Sequence, residues 1–300
     1  MLMEQGIGDA YCIAWEFCPQ QKGANDLATY HQNPKYPEFP AAHYSDDTMR
    51  ALANANVVLG DPSRWFDPCA YAAEYQAAHR ADGRLGWSKG FQAYLEANRD
   101  ATPQDFVLGL RRRATNGAVM GVAVLGFLPD ERTIRAAAAA QTMSTHSGAA
   151  ISSAQTIALA AHYLLHRKGR LDGLVDYLKE EVDWGSKQEA GDILGPTSVV
   201  PIPAMPAWTI ASNAIYLLTS SEFTGLSDRL SRIVQQAKNS MSDADSIAAV
   251  TMALCSCSDE IEQDLPAALK DGLETPMVRS VLADVDRALH KFAGTDPVGA

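Results

Sequence analysis

The chain has 300 residues, 25 of them Lys or Arg and 36 Asp or Glu, for a formal charge of −11, and 47% are hydrophobic. A chain of this length buries roughly three quarters of the surface it exposes when unfolded, so neither disulfides nor structural zinc are needed to hold it. Five cysteines with no CxxC pair and no Cys/His zinc spacing are expected as reduced thiols. The acidic balance, with no basic cluster longer than Arg111-Arg112-Arg113, argues against duplex DNA or RNA as a partner.

The first residues, Met1-Leu2-Met3-Glu4, carry neither a basic region nor an apolar one, so the cytoplasm is the expected compartment. From Asp46 onward, Ala-rich segments with apolar residues at three- and four-residue steps recur, and period-two alternation is almost absent. The expected fold is therefore all-α: one multi-helix domain over residues 1–300, with a flexible tail at 294–300. Breaks are expected where Pro and Gly cluster, at 32–40, 60–68, 82–86 and 195–206.

Two apolar stretches need a membrane test. Residues 117–128 fall short of the roughly 20 that a span requires, and 148–165 include Ser152, Ser153, Gln155, Thr156 and His162. Both read as buried helices, and no membrane partner is expected. Further on, Leu226, Leu230, Ile233, Val234 and Ala237 form one stripe. Thr275-Pro276 is a helix-start signal leading into Val278, Val281, Leu282, Val285, Leu289 and Phe292 on one face.

Chemistry concentrates in two acidic clusters. Ser45-Asp46-Asp47-Thr48 and Ser242-Asp243-Ala244-Asp245-Ser246 each precede an apolar run, at an expected helix N-terminus. Ser and Asp are preferred caps there, and first-turn carboxylates favour the positive dipole end, which is a sufficient structural reason for either cluster alone. The second cluster also offers three hard oxygens, suited to Mg²⁺, Mn²⁺ or Ca²⁺. An EF-hand is rejected, because counting from Asp243 puts Ala248 at the sixth loop position and Leu254 at the twelfth. An aspartyl-phosphate motif would need a buried strand upstream, where this chain reads as helix. If the fold brings both clusters together, each carboxylate pair at about 4 Å costs about 4 kcal/mol at an effective dielectric near 20, and the group needs cations or protons. Two divalent ions would neutralise it and polarise a water for hydrolysis.

Other candidates are less specific. Asn116-Gly117 reads as a helix start whose backbone N–H groups suit a diphosphate, but Asn-Gly is also an ordinary turn. Arg111 to Arg113 could pair with phosphate, although adjacent arginines on a helix diverge and are usually solvated. His146 alone reads as a capping or core histidine. His162 and His166 have zinc-protease spacing without the glutamate after the first His. Trp15, Trp65 and Trp208 could stack on a base, but large aromatics are usually core. No GxSxG elbow supports a serine hydrolase.

Taken in order, five motifs resemble those of the ADP-ribosylglycohydrolase family. Gly8-Asp9-Ala10-Tyr11-Cys12-Ile13-Ala14-Trp15-Glu16 resembles its GDAxGxxxE segment, and Tyr44-Ser45-Asp46-Asp47-Thr48-Met49 its YTDDTxM. Thr115-Asn116-Gly117-Ala118-Val119-Met120 resembles the GNGxxMR loop, Thr145-His146 a TH motif opening a long helix, and 242–246 the late GDTDT. The resemblance implies an all-α fold with two Mg²⁺ or Mn²⁺ ions below an ADP-ribose cleft. It implies metal ligation by Ser45, Asp46, Asp47, Asp243, Asp245 and Ser246, with serines where the family has threonines at both ends. It also implies acid/base or catalytic roles for Glu16, Asp47 and Asp245, and nucleotide contacts from Asn116, Gly117 and His146. The departures are Ala244 for a threonine, Ser240-Met241-Ser242 where glycines are usual, and Gly121 where an arginine follows the loop methionine.

The expected activity is metal-dependent hydrolysis of the bond between ADP-ribose and an acceptor, on an ADP-ribosylated protein or a small ADP-ribose conjugate. The alternative is a non-catalytic ADP-ribose-binding or structural protein on the same scaffold, as with the eye-lens crystallins that resemble this family. Retention of the aspartates and Glu16 weighs against that alternative.

Overall fold

Capping chemistry sets many of the helix starts. The computed structural model describes residues 1–84, 86–198 and 206–298. Its helices are α1 (Leu2–Cys12), α2 (Asp46–Leu59), α3 (Pro68–Ala81), α4 (Lys89–Ala97), α5 (Pro103–Gly109), α6 (Glu131–Thr145), α7 (Ile151–Leu165), α8 (Leu174–Glu181), α9 (Lys187–Leu194), α10 (Ala207–Thr219), α11 (Leu226–Asn239), α12 (Ala244–Cys255), α13 (Ala267–Gly272) and α14 (Pro276–Ala293). Ser45, Asp67, Thr102, Asp130, Ser186 and Thr275 each accept a backbone N–H from the first turn of the helix that follows. Such a cap is worth about 1 kcal/mol. Among the described residues β-structure is confined to two isolated bridges, Thr115 with Pro206 and Gly225 with Glu262.

The centre is α12, every residue of which is buried, packed against α1, α7, α10 and α11. A helix that is apolar over most of its circumference belongs in a core, and α12 carries Asp245 and Ser246 of its first turn inside with it. Around this centre α2 packs on α1, α3 and α14. The loop that leads into α2 is fixed from outside: Arg84 pairs with Glu274 at 2.6 Å and lies 3.9 Å from the Tyr44 ring centroid, while Tyr44 N–H donates to Glu274. Two helix N-termini, those of α2 and α12, thereby reach the same interior point.

The expected stripe on α11 is buried along its full length. That on α14 is narrower than expected: Leu282 and Leu289 are buried, whereas Val281 and Phe292 are exposed, Phe292 meeting Trp65 edge-on at 6.0 Å. Residues 117–128 are buried as expected but form 3-10 turns, Asn116–Ala118 and Val122–Phe127, instead of an α-helix. His162 Nδ1 hydrogen-bonds to the Gly126 carbonyl at 2.9 Å, and His166 caps the end of α7, so this pair closes a helix instead of opening a protease site. Within the expected break at 195–206, residues 199–205 lie outside the described residues, as do the last two of the expected tail. Among the described residues no helix is long and apolar enough to cross a membrane.

Candidate active site

A cleft of about 670 Å³ opens over the N-termini of α2 and α12, with α4 along one side. That is a size that accommodates a nucleotide-scale ligand. Its lining includes Glu16, Asp46, Asp47, Asn116, Gly117, His146, Asp243, Asp245 and Ser246, nine of the ten expected site residues. The tenth, Ser45, lies just behind them, its hydroxyl 3.1 Å from Asp47 Oδ2. Side chains separated by up to 230 positions in sequence thus share one cavity.

Asp245 belongs to two carboxylate groups: one with Asp9 and Asp47, the other with Glu16 and Asp243. Within each group the ligand atoms lie within 4.8 Å of one another. Burial is the main cause of every shift here. It holds Asp47, Asp245 and Glu16 well above the ordinary carboxylate range, with mutual repulsion adding to each. Asp46 is pushed up to about 7, with Arg50 opposing the rise, and Asp9 to about 6, with hydrogen bonds from Thr48 and Ser45 opposing it. Asp243 is raised by burial as well, with hydrogen bonds from Asp245, Ser246 and Asn116 opposing the rise.

Each carboxylate is held by its local structure. Ser45 caps α2 as expected, its Oγ accepting from Asp47 N–H at 3.3 Å. Asp243 behaves differently from a cap: its shortest hydrogen bond, 2.8 Å, comes from Asn116 Nδ2, which also reaches Ser246 Oγ at 3.3 Å. Ser246 Oγ in turn donates to Asp47 Oδ2 at 3.4 Å, tying the two clusters together. Glu16 follows the 3-10 turn Ile13–Trp15 and is anchored on both sides. Asn33 Nδ2 donates to the Ile13 and Glu16 carbonyls, and Phe17 N–H donates to the Ser242 carbonyl at 2.9 Å. Phe17 adopts a left-handed φ of 48°, a costly conformation for a bulky residue, and this turn sends the chain away from the carboxylates. The close backbone approach expected of glycines at 240–242 is thus made by the Ser242 carbonyl.

Hard oxygens from several carboxylates and serines are the donor set of a hard divalent cation such as Mg²⁺, Mn²⁺ or Ca²⁺. Two of the oxygens, Asp47 Oδ1 and Asp245 Oδ1, are buried without a hydrogen-bond partner. An unpaired buried oxygen is costly, and a cation at the cluster would satisfy both while relieving the repulsion. The residues present therefore fit a divalent-ion site.

The surroundings differ from expectation in three places. Thr145 and His146 close α6 and are followed by a 3-10 turn, Gly148–Ala150, before α7, so the pair ends one helix instead of opening the next. His146 Nδ1 pairs with Thr145 Oγ1 at 2.8 Å, and burial with the nearby Arg50 charge keeps the ring neutral, well below the usual histidine range. Asn116-Gly117 sits in a single 3-10 turn; Gly117 is required because a Cβ would lie 2.9 Å from the His146 ring. Trp15 and Trp65 are core, and Trp208 is only partly buried and away from the cleft; the aromatic wall comes instead from Phe91 and Tyr94 of α4. Arg111 and Arg113 do line the cleft, while Arg112 turns to the Val107 carbonyl.

Sequence reasoning passed over Asp9 and Arg50. Asp9 is buried on α1 and accepts from Ser45 N–H, Thr48 N–H and Thr48 Oγ1 at 2.7–3.1 Å, clamping the start of α2. The signal was a carboxylate one turn after Gln5 on a helix face that is otherwise apolar. Arg50 lies one turn after Asp46 on the same helix, an i, i+4 pair that was available to see.

Fold and site together define an all-α protein with a carboxylate-floored cleft of nucleotide size. The chain belongs to the ADP-ribosylglycohydrolase family, whose model matches residues 1–297. Among solved structures, the "ADP-ribosylglycohydrolase-related protein complex" is similar, with a TM-score of 0.74 and 18% identity over 97% of this chain and 96% of that one. At that identity the likeness speaks for the fold. No curated protein matches.

Proposed function

We propose that the chain hydrolyses the glycosidic bond joining C1″ of ADP-ribose to an acceptor, on an ADP-ribosylated protein or a small conjugate, with two Mg²⁺ or Mn²⁺ ions. The observation that carries this reading is the sharing of Asp245 by both carboxylate groups, the arrangement expected of a residue that bridges two ions. Ser45, Asp46, Asp47, Asp243, Asp245 and Ser246 would hold the pair. Asp9 would act as a positioning residue, since three of its hydrogen bonds converge on Oδ2 and are spent on α2. Bound there, the ions would supply positive charge to grip ribose hydroxyls and polarise water.

The chain's own groups do the rest. Glu16 borders the cleft and retains its proton well above the usual carboxylate range, so it can pass that proton to the departing acceptor atom and recover one from water; Asp47 or Asp245 would serve if Glu16 is turned away. Ionised carboxylates on the floor favour the positive charge that develops at C1″. Asn116 fixes Asp243, and the neutral His146 offers its Nε2 to the nucleotide.

The test is release of ADP-ribose from a labelled conjugate, alongside calorimetric titration with Mg²⁺ and Mn²⁺. Asp245→Asn is expected to weaken ion binding at least tenfold and to abolish release. Full activity in that variant overturns the bridging role. Ion-independent release overturns the metal reading, and ion and ADP-ribose binding without turnover on any conjugate favours the non-catalytic alternative.

A further inference from the structure

We propose that Arg50 is the anion-binding residue of the cleft, selecting ligands that carry a diphosphate beside the ribose; this deepens the reading above and rests on it. Arg50 is only 3% exposed, yet it lines the cavity. Its guanidinium carbon lies 4.7 Å from the Tyr75 ring centroid, 5.2 Å from Trp87 and 5.1 Å from Phe91. Cation–π contacts with these rings hold the guanidinium in place, and its N–H groups form a planar fork that matches phosphoryl oxygens.

The protein uses that fork incompletely. Nη1 donates to the Gly117 carbonyl at 3.1 Å and to Thr145 Oγ1 at 3.4 Å, but Nε is buried with no hydrogen-bond partner. The closest carboxylate, Asp46, is 4.0 Å from Nε, too far for a hydrogen bond. A buried guanidinium whose nearest carboxylate stands outside hydrogen-bond range is incompletely compensated. A ligand anion completing it would explain why the charge is kept where aromatic packing alone would accept a neutral side chain.

The location suits a group attached to the ribose. Arg50 follows Asp46 by one helical turn and touches the Gly117–His146 wall, so an anion there lies beside the carboxylate floor and not upon it. Arg111 and Arg113, exposed at the rim, extend positive charge toward the mouth. Phe91 serves both purposes, stacking on Arg50 and lining the cavity. The structure holds no room for a cation at position 121, where a Cβ would overlap the backbone of Arg50 and Ala51, so the charge on this wall enters from α2.

The experiment is calorimetric binding of ADP-ribose and of adenosine, which lacks phosphate, to the full chain at fixed Mg²⁺, comparing wild type with Arg50→Met and Arg50→Lys. Arg50→Met is expected to weaken ADP-ribose binding about 30-fold or more, which is about 2 kcal/mol. Adenosine should behave identically in wild type and variant, whether it binds or not. Arg50→Lys, keeping the charge but not the fork, should fall between, about fivefold weaker than wild type. ADP-ribose affinity within threefold of wild type in Arg50→Met overturns the assignment, as does an equal loss for adenosine. Should Arg50→Met fail to fold, unchanged affinity in Arg50→Lys overturns it. A wild-type chain that binds no ADP-ribose instead overturns the functional reading on which this rests.

Discussion

Stripping divalent ions and raising the pH is expected to destabilise the protein in a window set by the cleft carboxylates. Unfolded, Asp9 and Asp46 titrate near 3.8; folded, burial takes them to about 6 and about 7. Folded carboxyls that hold protons to higher pH than unfolded ones contribute stability at low pH and lose it as pH rises through the folded value, because the unfolded chain then binds fewer protons. At about 1.4 kcal/mol per pH unit, the interval is worth about 3 kcal/mol for Asp9 and about 4 kcal/mol for Asp46, each taken alone. Between about pH 5 and about pH 8 the Asp46 contribution falls by about 3 kcal/mol, or about 5 °C in Tm for a chain of this size. The assay is thermal unfolding of EDTA-treated wild type and Asp46→Asn across that range, without and with excess MgCl₂. Wild type should lose about 5 °C relative to the variant, and Mg²⁺ at 100 times its Kd should restore about 2.7 kcal/mol to wild type. Wild type and Asp46→Asn changing in parallel, with Mg²⁺ without effect on either, would refute the reasoning.

Two further predictions concern packing that supports the site. Gly121→Ala forces a methyl group into the α2 backbone at Arg50 and Ala51 and is expected to cost about 2–3 kcal/mol, measured by urea unfolding; a neutral result would mean that α2 moves freely at the cleft wall. Arg229, fully buried, donates to the carbonyls of Leu217, Leu218 and Gly225 at 2.8–3.4 Å, so Arg229→Met removes three buried hydrogen bonds. A loss of about 3 kcal/mol with Mg²⁺ affinity unchanged is expected, and a change in ion affinity would show that this arginine reaches the cleft.

Local chemistry wrote much of this fold into the sequence. Thr275-Pro276, Ser45 and the α11 stripe are signals that act within one or two helical turns, and the structure follows them. The carboxylates, too, were legible as types at helix starts. What the chain could not state by itself was convergence: a cap and a metal ligand look alike until Asp243 is found accepting from Asn116, 127 positions away. Asp9 was opaque for the same reason, since a buried carboxylate acquires meaning only from what the opposite wall presents, and Arg50, visible as the i, i+4 partner of Asp46, gave no sign of the cleft that it lines. The aromatic wall followed this rule as well, Phe91 and Tyr94 facing the cavity while the tryptophans filled the core. Sequence alone determined that the chain is helical, where the helices with a Ser or Thr cap such as α2 and α14 begin, and which hard-oxygen groups it carries. Tertiary packing alone decided that α2 and α12 point their N-termini at one place, because electrostatic repulsion and burial act through space and take no account of sequence distance.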